Sequence, residues 1–247
     1  MSYEENLTER DKIRYERQMM IGNFGIEGQK KLKSTTALIA GAGGLGSPLS
    51  IYLAVAGLGK LRIVDKDKVE LSNLNRQILY GEEDINKAKA PVLEKALKKL
   101  NKDIEVESIN CNITDDTIEE LVGGCDLIAD CMDNYPTRYV LNRASLEKEI
   151  PLFHAAVEGM NGQATTIVPG ETPCLKCIVP NPPPSGKLPV FGATPGLLAC
   201  IQAHEVTKHV VGIDASLKNK LLLVSGGTDF EKVEIHKNPE CEECGSK

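Results

Sequence analysis

A glycine-rich turn stands between a short apolar run and the start of an apolar helix pattern, within residues 38–47. Gly41, Gly43 and Gly46 have the Gly-x-Gly-x-x-Gly spacing, and Gly44 adds a fourth small residue. Glycines let the chain turn tightly and approach a phosphate or ribose, while the first amides of the helix point at the anion. Asp65 ends the next apolar run about 20 residues later, where a carboxylate can accept from ribose hydroxyls. The pattern predicts a nucleotide site, and taken alone it favours an NAD-dependent oxidoreductase.

Polar and charged residues after Asp65 form a set that a dinucleotide site does not need. They lie in the segment 69–77, at the start of the helix pattern 87–100, and just after the apolar run 126–130. The residues are Ser72, Asn73, Arg76, Lys89, Asp133 and Asn134. Singly, each has an ordinary interpretation, since charged side chains are mostly exposed and an aspartate before a helix usually caps it. Their joint occurrence in this order is far more specific than the glycine turn.

Together with Arg17 in the segment 14–18, these motifs resemble the ubiquitin-activating-enzyme-like superfamily of MoeB, ThiF and HesA over roughly residues 10 to 245. The resemblance implies an enzyme that binds ATP with magnesium and adenylates the C-terminal glycine carboxylate of a small ubiquitin-like sulfur-carrier protein, releasing pyrophosphate. It implies that the carrier ends in Gly-Gly and that the active unit is a homodimer. A separate protein is expected as the sulfur donor, because no rhodanese-like segment follows Cys244.

The resemblance also assigns roles to individual residues. Asp65 is expected to hold the ribose, and Asn73 and Arg76 the phosphates. Lys89 is expected to neutralise charge on the α-phosphate, Asp133 to hold magnesium, and Arg17 to reach into the neighbouring subunit's site. The expected nucleotide-binding set is Gly41, Gly43, Gly44, Gly46, Asp65, Ser72, Asn73, Arg76, Lys89, Asp133 and Asn134, and the expected catalytic set is Arg17, Arg76, Lys89 and Asp133.

Adenylation of a carboxylate suits such a set of cations. The nucleophile is already an anion, so the reaction requires no general base. The barrier lies in bringing two anions together and in the charge that builds on phosphorus and the leaving pyrophosphate. Fixed cations and a metal ion lower that barrier.

Two Cys-x-x-Cys pairs form a second constellation, Cys174 with Cys177 and Cys241 with Cys244. Four thiolates suit one tetrahedral zinc ion, and four protein ligands leave no open position, so the ion is expected to be structural. The alternative is two unrelated turns or redox pairs. Paired cysteines of this kind fit a metal in a reducing compartment better than a disulfide framework, which favours a cytoplasmic protein.

A proline-rich segment at 178–195 is expected to form a crossover loop, because its prolines exclude it from a helix or a central strand. Many members of the superfamily that the chain resembles carry a cysteine in this loop, whereas 178–195 contains none. We therefore expect an acyl-adenylate that passes directly to an acceptor, without an enzyme thioester. His154, at a strand end near the expected site, is interpreted as a structural histidine.

Strand and helix patterns alternate from 36 to 150, which predicts an α/β fold with a Rossmann-like, doubly wound parallel sheet. Strand patterns at 153–157, 163–168, 220–225 and 232–236 predict an antiparallel continuation. We expect one adenylating domain over 1–247. It would comprise a helical arm at 8–35, a nucleotide-binding half at 36–150 and a carrier-binding half at 151–247.

Composition narrows the possible partners. The 247 residues carry a formal net charge of −6, which gives no general basic surface for nucleic acid. No apolar run approaches the roughly 18 to 20 residues of a membrane span, so no membrane partner is expected. Three alternatives stay open: adenylation of a small-molecule carboxylate, an NAD-dependent oxidoreductase, and a non-catalytic scaffold.

Overall fold

The computed structural model describes residues 7–183, 186 and 188–245. Within these residues, eight strands form one sheet in the order β3-β2-β1-β4-β5-β6-β7-β8. The strands are β1 (Thr36–Ala40), β2 (Lys60–Val64), β3 (Glu105–Ile109), β4 (Leu127–Asp130), β5 (Leu152–Glu158), β6 (Asn161–Ile167), β7 (Lys220–Ser225) and β8 (Asp229–Glu234). From β3 to β5 the neighbouring strands are parallel, and from β5 to β8 they are antiparallel. The predicted Rossmann-like sheet with an antiparallel second half is therefore confirmed.

Helices cover both faces of the sheet. They are α1 (Glu9–Arg14), α2 (Glu16–Met19), α3 (Gly25–Ser34), α4 (Gly46–Ala56), α5 (Lys89–Leu100), α6 (Ile118–Val122), α7 (Tyr135–Lys148), α8 (Leu175–Ile178) and α9 (Ala193–Val211). Short 3-10 helices lie at Leu71–Asn73 and Glu82–Asp84. None of the helices in the described part of the chain combines the length and apolar character needed to cross a bilayer.

The two faces of the sheet carry separate hydrophobic cores. One core packs β1, β2 and β5 against α4, α5 and α9, and includes Leu49, Leu53 and Phe153. The other packs the opposite face against α6 and α7, and includes Leu38, Ile128 and Leu141. Strands β1 and β4 are thus buried on both faces, which explains their continuous apolar runs.

Three details differ from the sequence-based expectation. The arm at 8–35 is three short helices, and the helix over Tyr135–Lys148 has no counterpart among the predicted elements. Its sequence has only a weak apolar face, although Asn134 caps its start by accepting from the Thr137 N–H. Strand β8 begins at Asp229 because a turn through Gly226 and Gly227, both with positive φ, sets its register against β7. Within the predicted crossover loop, residues 184, 185 and 187 lie outside the described residues.

Candidate functional site

A crevice lies where the carboxyl ends of three parallel strands meet. The glycine turn follows β1, Asp65 follows β2, and Asp133 comes shortly after β4. Strands β2 and β4 flank β1 on opposite sides, so the chain order reverses at β1. Ligands of doubly wound sheets bind outside the carboxyl ends of the strands at such a switch point. The topology therefore brings the predicted nucleotide residues to one edge of the sheet.

Two positions of the glycine turn leave no room for a side chain. Gly41 has a φ of +104°, and a Cβ there would lie 2.8 Å from the carbonyl oxygen of Cys131. A Cβ on Gly46 would overlap the carbonyl oxygen of Gly41. Gly43 is different, because a Cβ there would come no nearer than 3.7 Å to any neighbour. The space above Gly43 is therefore open, as the approach of a phosphate or ribose requires.

Asp65 is fixed by backbone donors on both of its carboxylate oxygens. Oδ2 accepts from the Ala42 N–H at 2.7 Å, and Oδ1 accepts from the Asp67 N–H at 2.7 Å. Burial has the largest effect on the pKa of this carboxyl and raises it, although the hydrogen bonds from the two N–H groups lower it. The lone pairs that remain free can accept from hydroxyl groups, in line with the ribose role expected for Asp65.

The segment 70–77 lies beside the turn, where Arg76 and Gln77 are neighbours of Gly44 and Gly43. Asn73 is buried, and its Oδ1 accepts from the Glu70 N–H at 3.0 Å, which leaves Nδ2 as the end that can donate to a ligand. The guanidinium of Arg76 donates to the carbonyl of Ser72 at 2.9 Å. Its Cγ would lie 3.3 Å from a Cβ on Gly44. The hydroxyl of Ser72 is exposed and donates to Glu70 at 3.1 Å.

Lys89 is a buried cation at the start of α5. Only 7% of its side chain is exposed, and its Nζ lies 3.4 Å from Oδ2 of Asp67. The Lys89 N–H also donates to the carbonyl of Asp67 at 2.9 Å, so Lys89 lies against the segment that follows Asp65. A cation held in partial burial interacts more strongly with a bound anion than an exposed one does.

Asp133 and Asn134 differ in what they offer. Asp133 is exposed, and its Oδ1 accepts from Nδ2 of Asn134 at 3.3 Å. Its carboxylate is otherwise available as a hard oxygen ligand of the type that magnesium prefers. The Oδ1 of Asn134 instead caps α7. The contacts of Asn134 thus give it a structural role, beside the nucleotide contact expected from the sequence.

Arg17 does not join the other residues within its own chain. It is exposed on α2, and its neighbour Gln18 donates to the carbonyl of Ala56 at the last turn of α4. The glycine turn lies at the first turn of α4, and a helix of 11 residues is about 16 Å long. Arg17 is therefore held at the far end of α4 from the crevice.

Sequence reasoning left one residue of the crevice without a role. Gln77 is only 3% exposed, and its Oε1 has no hydrogen-bond partner among the described residues. Its Nε2 is the atom nearest to a Cβ built on Gly43. The signal was available, because Gln77 directly follows Arg76 in the polar segment.

The four predicted metal ligands converge. The sulfur atoms of Cys174, Cys177, Cys241 and Cys244 all lie within 4.8 Å of one another. Individual Sγ distances are 3.7 Å for Cys174 to Cys241 and 3.4 Å for Cys177 to Cys244. These separations are far longer than a disulfide bond and close to the roughly 3.8 Å between thiolates on one tetrahedral zinc. The cluster can therefore hold a metal ion.

The cluster is also tied to α7. Asn142 accepts from the Leu175 N–H at 2.8 Å and donates to Glu243, so it joins both Cys-x-x-Cys segments. The hydroxyl of Tyr139 donates to the carbonyl of Val179 at 2.6 Å, where the crossover loop begins. Helix α7 thus connects the turn of Asp133 to the cysteine cluster and to one end of the loop.

Comparisons with known proteins agree with this geometry. The sequence matches the ThiF family over residues 15–243. Protein HesA, heterocyst, of Trichormus variabilis is 38% identical over 98% of this chain and 91% of that protein. The sulfur carrier protein adenylyltransferase of Thermus thermophilus is 38% identical over 97% of this chain and 93% of that protein. The crystal structure of E. coli MccB with ATP has a TM-score of 0.82 at 27% identity, covering 94% of this chain and 74% of MccB.

The fold, the crevice and these relatives define an adenylyltransferase, which implies ATP as its substrate. The chain belongs to the ThiF family. The resemblance drawn from the sequence is thereby confirmed. The named relatives support adenylation over the oxidoreductase and scaffold alternatives.

We expect one zinc ion per chain when the protein is purified without chelator and analysed by elemental mass spectrometry. Cys177→Ser should lose the metal and lower the melting temperature by about 10 °C, because a structural metal is part of the folding free energy. Cys111→Ser is the matched control, since this free thiol lies outside the cluster. Metal-free wild-type protein, or a Cys177→Ser variant that keeps its zinc, would contradict the expectation.

Proposed function

We propose that this chain uses ATP to adenylate the C-terminal glycine carboxylate of a ubiquitin-like sulfur-carrier protein. The observation that carries the proposal is the placement of Asp65 and Arg76 against the glycine turn of a ThiF-family chain, with Lys89 paired to Asp67 just after Asp65. A sulfur carrier protein adenylyltransferase matches nearly the whole chain at 38% identity, which supports this substrate class. We treat the chain as one adenylating domain, with the nucleotide half at 36–150 and the carrier half at 151–247.

In the proposed reaction, a carboxylate oxygen of the carrier attacks the α-phosphorus of ATP. The new O–P bond replaces the bond to the β-phosphate, and pyrophosphate leaves with the electron pair, so no proton is transferred. Arg76 and Lys89 offset the charge that builds on the phosphates, and Asp65 orients the ribose. Magnesium held by Asp133 would neutralise the leaving pyrophosphate, and zinc in the cysteine cluster would be structural.

The crossover loop gives the carrier tail a defined route. Its far end is held by the β5–β6 turn, since the Gly159 N–H donates to Pro189 at 2.6 Å and the Phe191 N–H donates to Gly159 at 3.0 Å. A Cβ on Gly192 would overlap the carbonyl of Asn75, so the far end of the loop packs directly against the polar segment. A thin, extended Gly-Gly tail fits a passage of this kind better than a bulky side chain does.

Apolar residues beside the loop end offer a surface for the globular part of the carrier. Met160, Phe191 and Phe230 are each more than half exposed. Met160 and Phe191 line a cavity of about 250 Å³ together with the β7–β8 turn. Contiguous exposed apolar side chains on one side of a sheet are typical of a protein-binding surface.

A small-molecule carboxylate is the second candidate substrate. The crossover segment contains no cysteine, which fits direct transfer from an acyl-adenylate to either kind of acceptor. We therefore propose no enzyme thioester with either substrate. All eight cysteines lie within the described residues and none forms a disulfide there, which supports a reducing compartment such as the cytoplasm, where the four clustered cysteines can serve as metal ligands.

ATP–pyrophosphate exchange tests the substrate class. We expect exchange with a ubiquitin-like protein ending in Gly-Gly and none with the same protein lacking its last two residues. Lys89→Ala should lower the rate by about 100- to 1000-fold, as removal of a charge-stabilising group does in other enzymes. Lys87→Ala is the matched control, because Lys87 is exposed and its side chain pairs with nearby Asp84. Exchange driven by a small carboxylate but not by the carrier would favour the second candidate, and a thiol-labile mass adduct would contradict direct transfer.

A homodimer would explain the position of Arg17. The arm and the outer face of α4 expose several apolar side chains, with Met20 at 77% and Tyr52 at 50% exposure. A two-fold interface over this surface buries them and carries each Arg17 toward the partner's crevice. The active unit would then contain two composite sites.

Mixed dimers test this arrangement. Arg17→Ala and Arg76→Ala should each be nearly inactive alone, because each variant destroys both composite sites. Co-expressed in equal amounts, they should recover about a quarter of wild-type exchange, since half of the dimers regain one of two sites. Arg10→Ala is the control and should stay active, because its exposed side chain pairs with Asp103 at the surface. A mixture no more active than its components would show that Arg17 acts in its own chain or not at all.

Gln77 is proposed as a further nucleotide ligand, because its Nε2 faces Gly43 and its Oε1 has no partner among the described residues. An unpaired buried polar atom costs about 1–3 kcal/mol. Gln77→Met should therefore raise the free energy of unfolding of the ligand-free protein by about 1 kcal/mol. The same change should weaken ATP binding about tenfold, because the hydrogen bond that Nε2 donates to the nucleotide is lost. Denaturant melts and calorimetric ATP titration measure the two effects.

Gln29→Met is the control for this substitution. Gln29 is equally buried, but its amide donates to the carbonyl of Ala56 at 3.1 Å and accepts from Gln18. We expect this variant to lose about 1–2 kcal/mol of stability and to bind ATP normally. A Gln77→Met variant that is destabilised and binds ATP normally would assign Gln77 to the fold instead.

A further inference from the structure

A cluster of buried charged groups lies behind the turn that presents Asp133. Asp130 ends β4, and His154 is its partner on the neighbouring strand β5. Both are fully buried, and Arg138 on α7 is 4% exposed. The cluster lies beneath the crevice, and the proposed reaction uses none of the three side chains.

The contacts within the cluster centre on the carboxylate of Asp130. Its Oδ2 lies 2.6 Å from Nδ1 of His154 and 3.6 Å from Nε of Arg138. Burial lowers the pKa of His154, so the ring is neutral near pH 7 and its Nδ1–H donates to Asp130. The other ring nitrogen then accepts from Nε2 of Gln163 at 3.2 Å.

The same cluster holds the residue just before Asp133 at both of its backbone groups. The Met132 N–H donates to Oδ1 of Asp130 at 3.0 Å, and the Met132 carbonyl accepts from Arg138 at 2.6 Å. Arg138 also donates to the carbonyl of Ala155 at 3.2 Å, which ties the turn to β5. At the other side of Asp133, Asn134 is fixed as the cap of α7. The backbone of the turn therefore has little freedom to move.

A cluster of buried charges is an inefficient way to stabilise a fold. Buried charges lose solvation, and well-packed apolar residues often stabilise such a position better than an ion pair does. Even here, Nε of Arg138 has no hydrogen-bond partner among the described residues. What the cluster supplies is a fixed geometry for a turn that carries an exposed carboxylate.

We propose that Asp130, Arg138 and His154 are positioning residues that hold the 131–134 turn so that Asp133 presents its carboxylate to magnesium in the crevice. The proposal rests on the magnesium role assigned to Asp133 under the proposed function. None of the three residues touches a reactant. They act through the backbone of Met132.

The test compares two substitutions of His154. In His154→Asn, the amide Nδ2 can replace Nδ1 as the donor to Asp130, whereas His154→Leu fills the space without a donor. We expect the magnesium concentration for half-maximal ATP–pyrophosphate exchange to rise about tenfold in His154→Leu, with most of the rate recovered at saturating magnesium. His154→Asn should stay within about twofold of wild type. Calorimetric titration of the nucleotide-loaded proteins with Mn²⁺ should rank the metal affinities of the variants in the same order. This measurement does not rely on activity.

Ser145→Ala is the matched control for destabilisation. Ser145 is buried on the same helix and donates to the carbonyl of Ile150 at 2.6 Å, away from the crevice. It should lower the melting temperature and leave the magnesium requirement unchanged. A His154→Leu variant that behaves in the same way would overturn the positioning role.

Two further variants keep the outcomes distinct. If His154→Leu fails to fold, Arg138→Lys is the substitute. It retains the charge, but its side chain is one atom shorter than that of arginine, so its Nζ falls short of the position from which Nη2 of Arg138 donates to Met132 and Ala155, and it should show the raised magnesium requirement. Asp133→Asn should raise that requirement more than either variant. An unchanged requirement in Asp133→Asn would overturn the magnesium role itself and this proposal with it. If Asp133→Asn raises the magnesium requirement but Arg138→Lys and His154→Leu leave it unchanged, the positioning role alone is overturned.

Discussion

The close approach of the glycine turn to the end of β4 is the constraint on which the site depends. Gly41 takes a positive φ directly against the carbonyl of Cys131, and Gly46 packs on the carbonyl of Gly41. This contact starts α4 at the switch point of the sheet and lets the Ala42 N–H donate to Asp65. It also sets the glycine turn against the segment that leads to Asp133. A side chain at either glycine would separate the two strand ends and open the crevice.

The charged side chains of the site differ in how firmly their positions are fixed. Lys89 and Asp65 are held by burial and by hydrogen bonds, so they need little reorganisation when an anion binds. Asp133 is exposed, and its position is defined only by the backbone that carries it. The buried groups behind that backbone provide the rigidity that an exposed side chain cannot provide for itself.

Helix α7 connects parts that are far apart in the sequence. Its first turn follows Asp133, its middle holds the start of the crossover loop through Tyr139, and Asn142 joins the two halves of the cysteine cluster. This is also the helix that the sequence pattern did not predict, because its polar face is broad and its apolar face is weak. Its strongest local signal, the cap at Asn134, was attributed to nucleotide binding.

The sequence by itself determined the class of fold, the glycine turn with Asp65, and the four cysteines, because each is encoded by local spacing that no other arrangement explains as well. It indicated Asn73, Arg76, Lys89 and Asp133 only through their joint order. The tertiary structure decided what spacing cannot express. It placed Arg17 at the far end of α4, and it left the Oε1 of Gln77 without a partner among the described residues. It also joined Asp130, Arg138 and His154 across three elements. These relationships depend on burial and on contacts between distant segments, and both arise only when the chain folds.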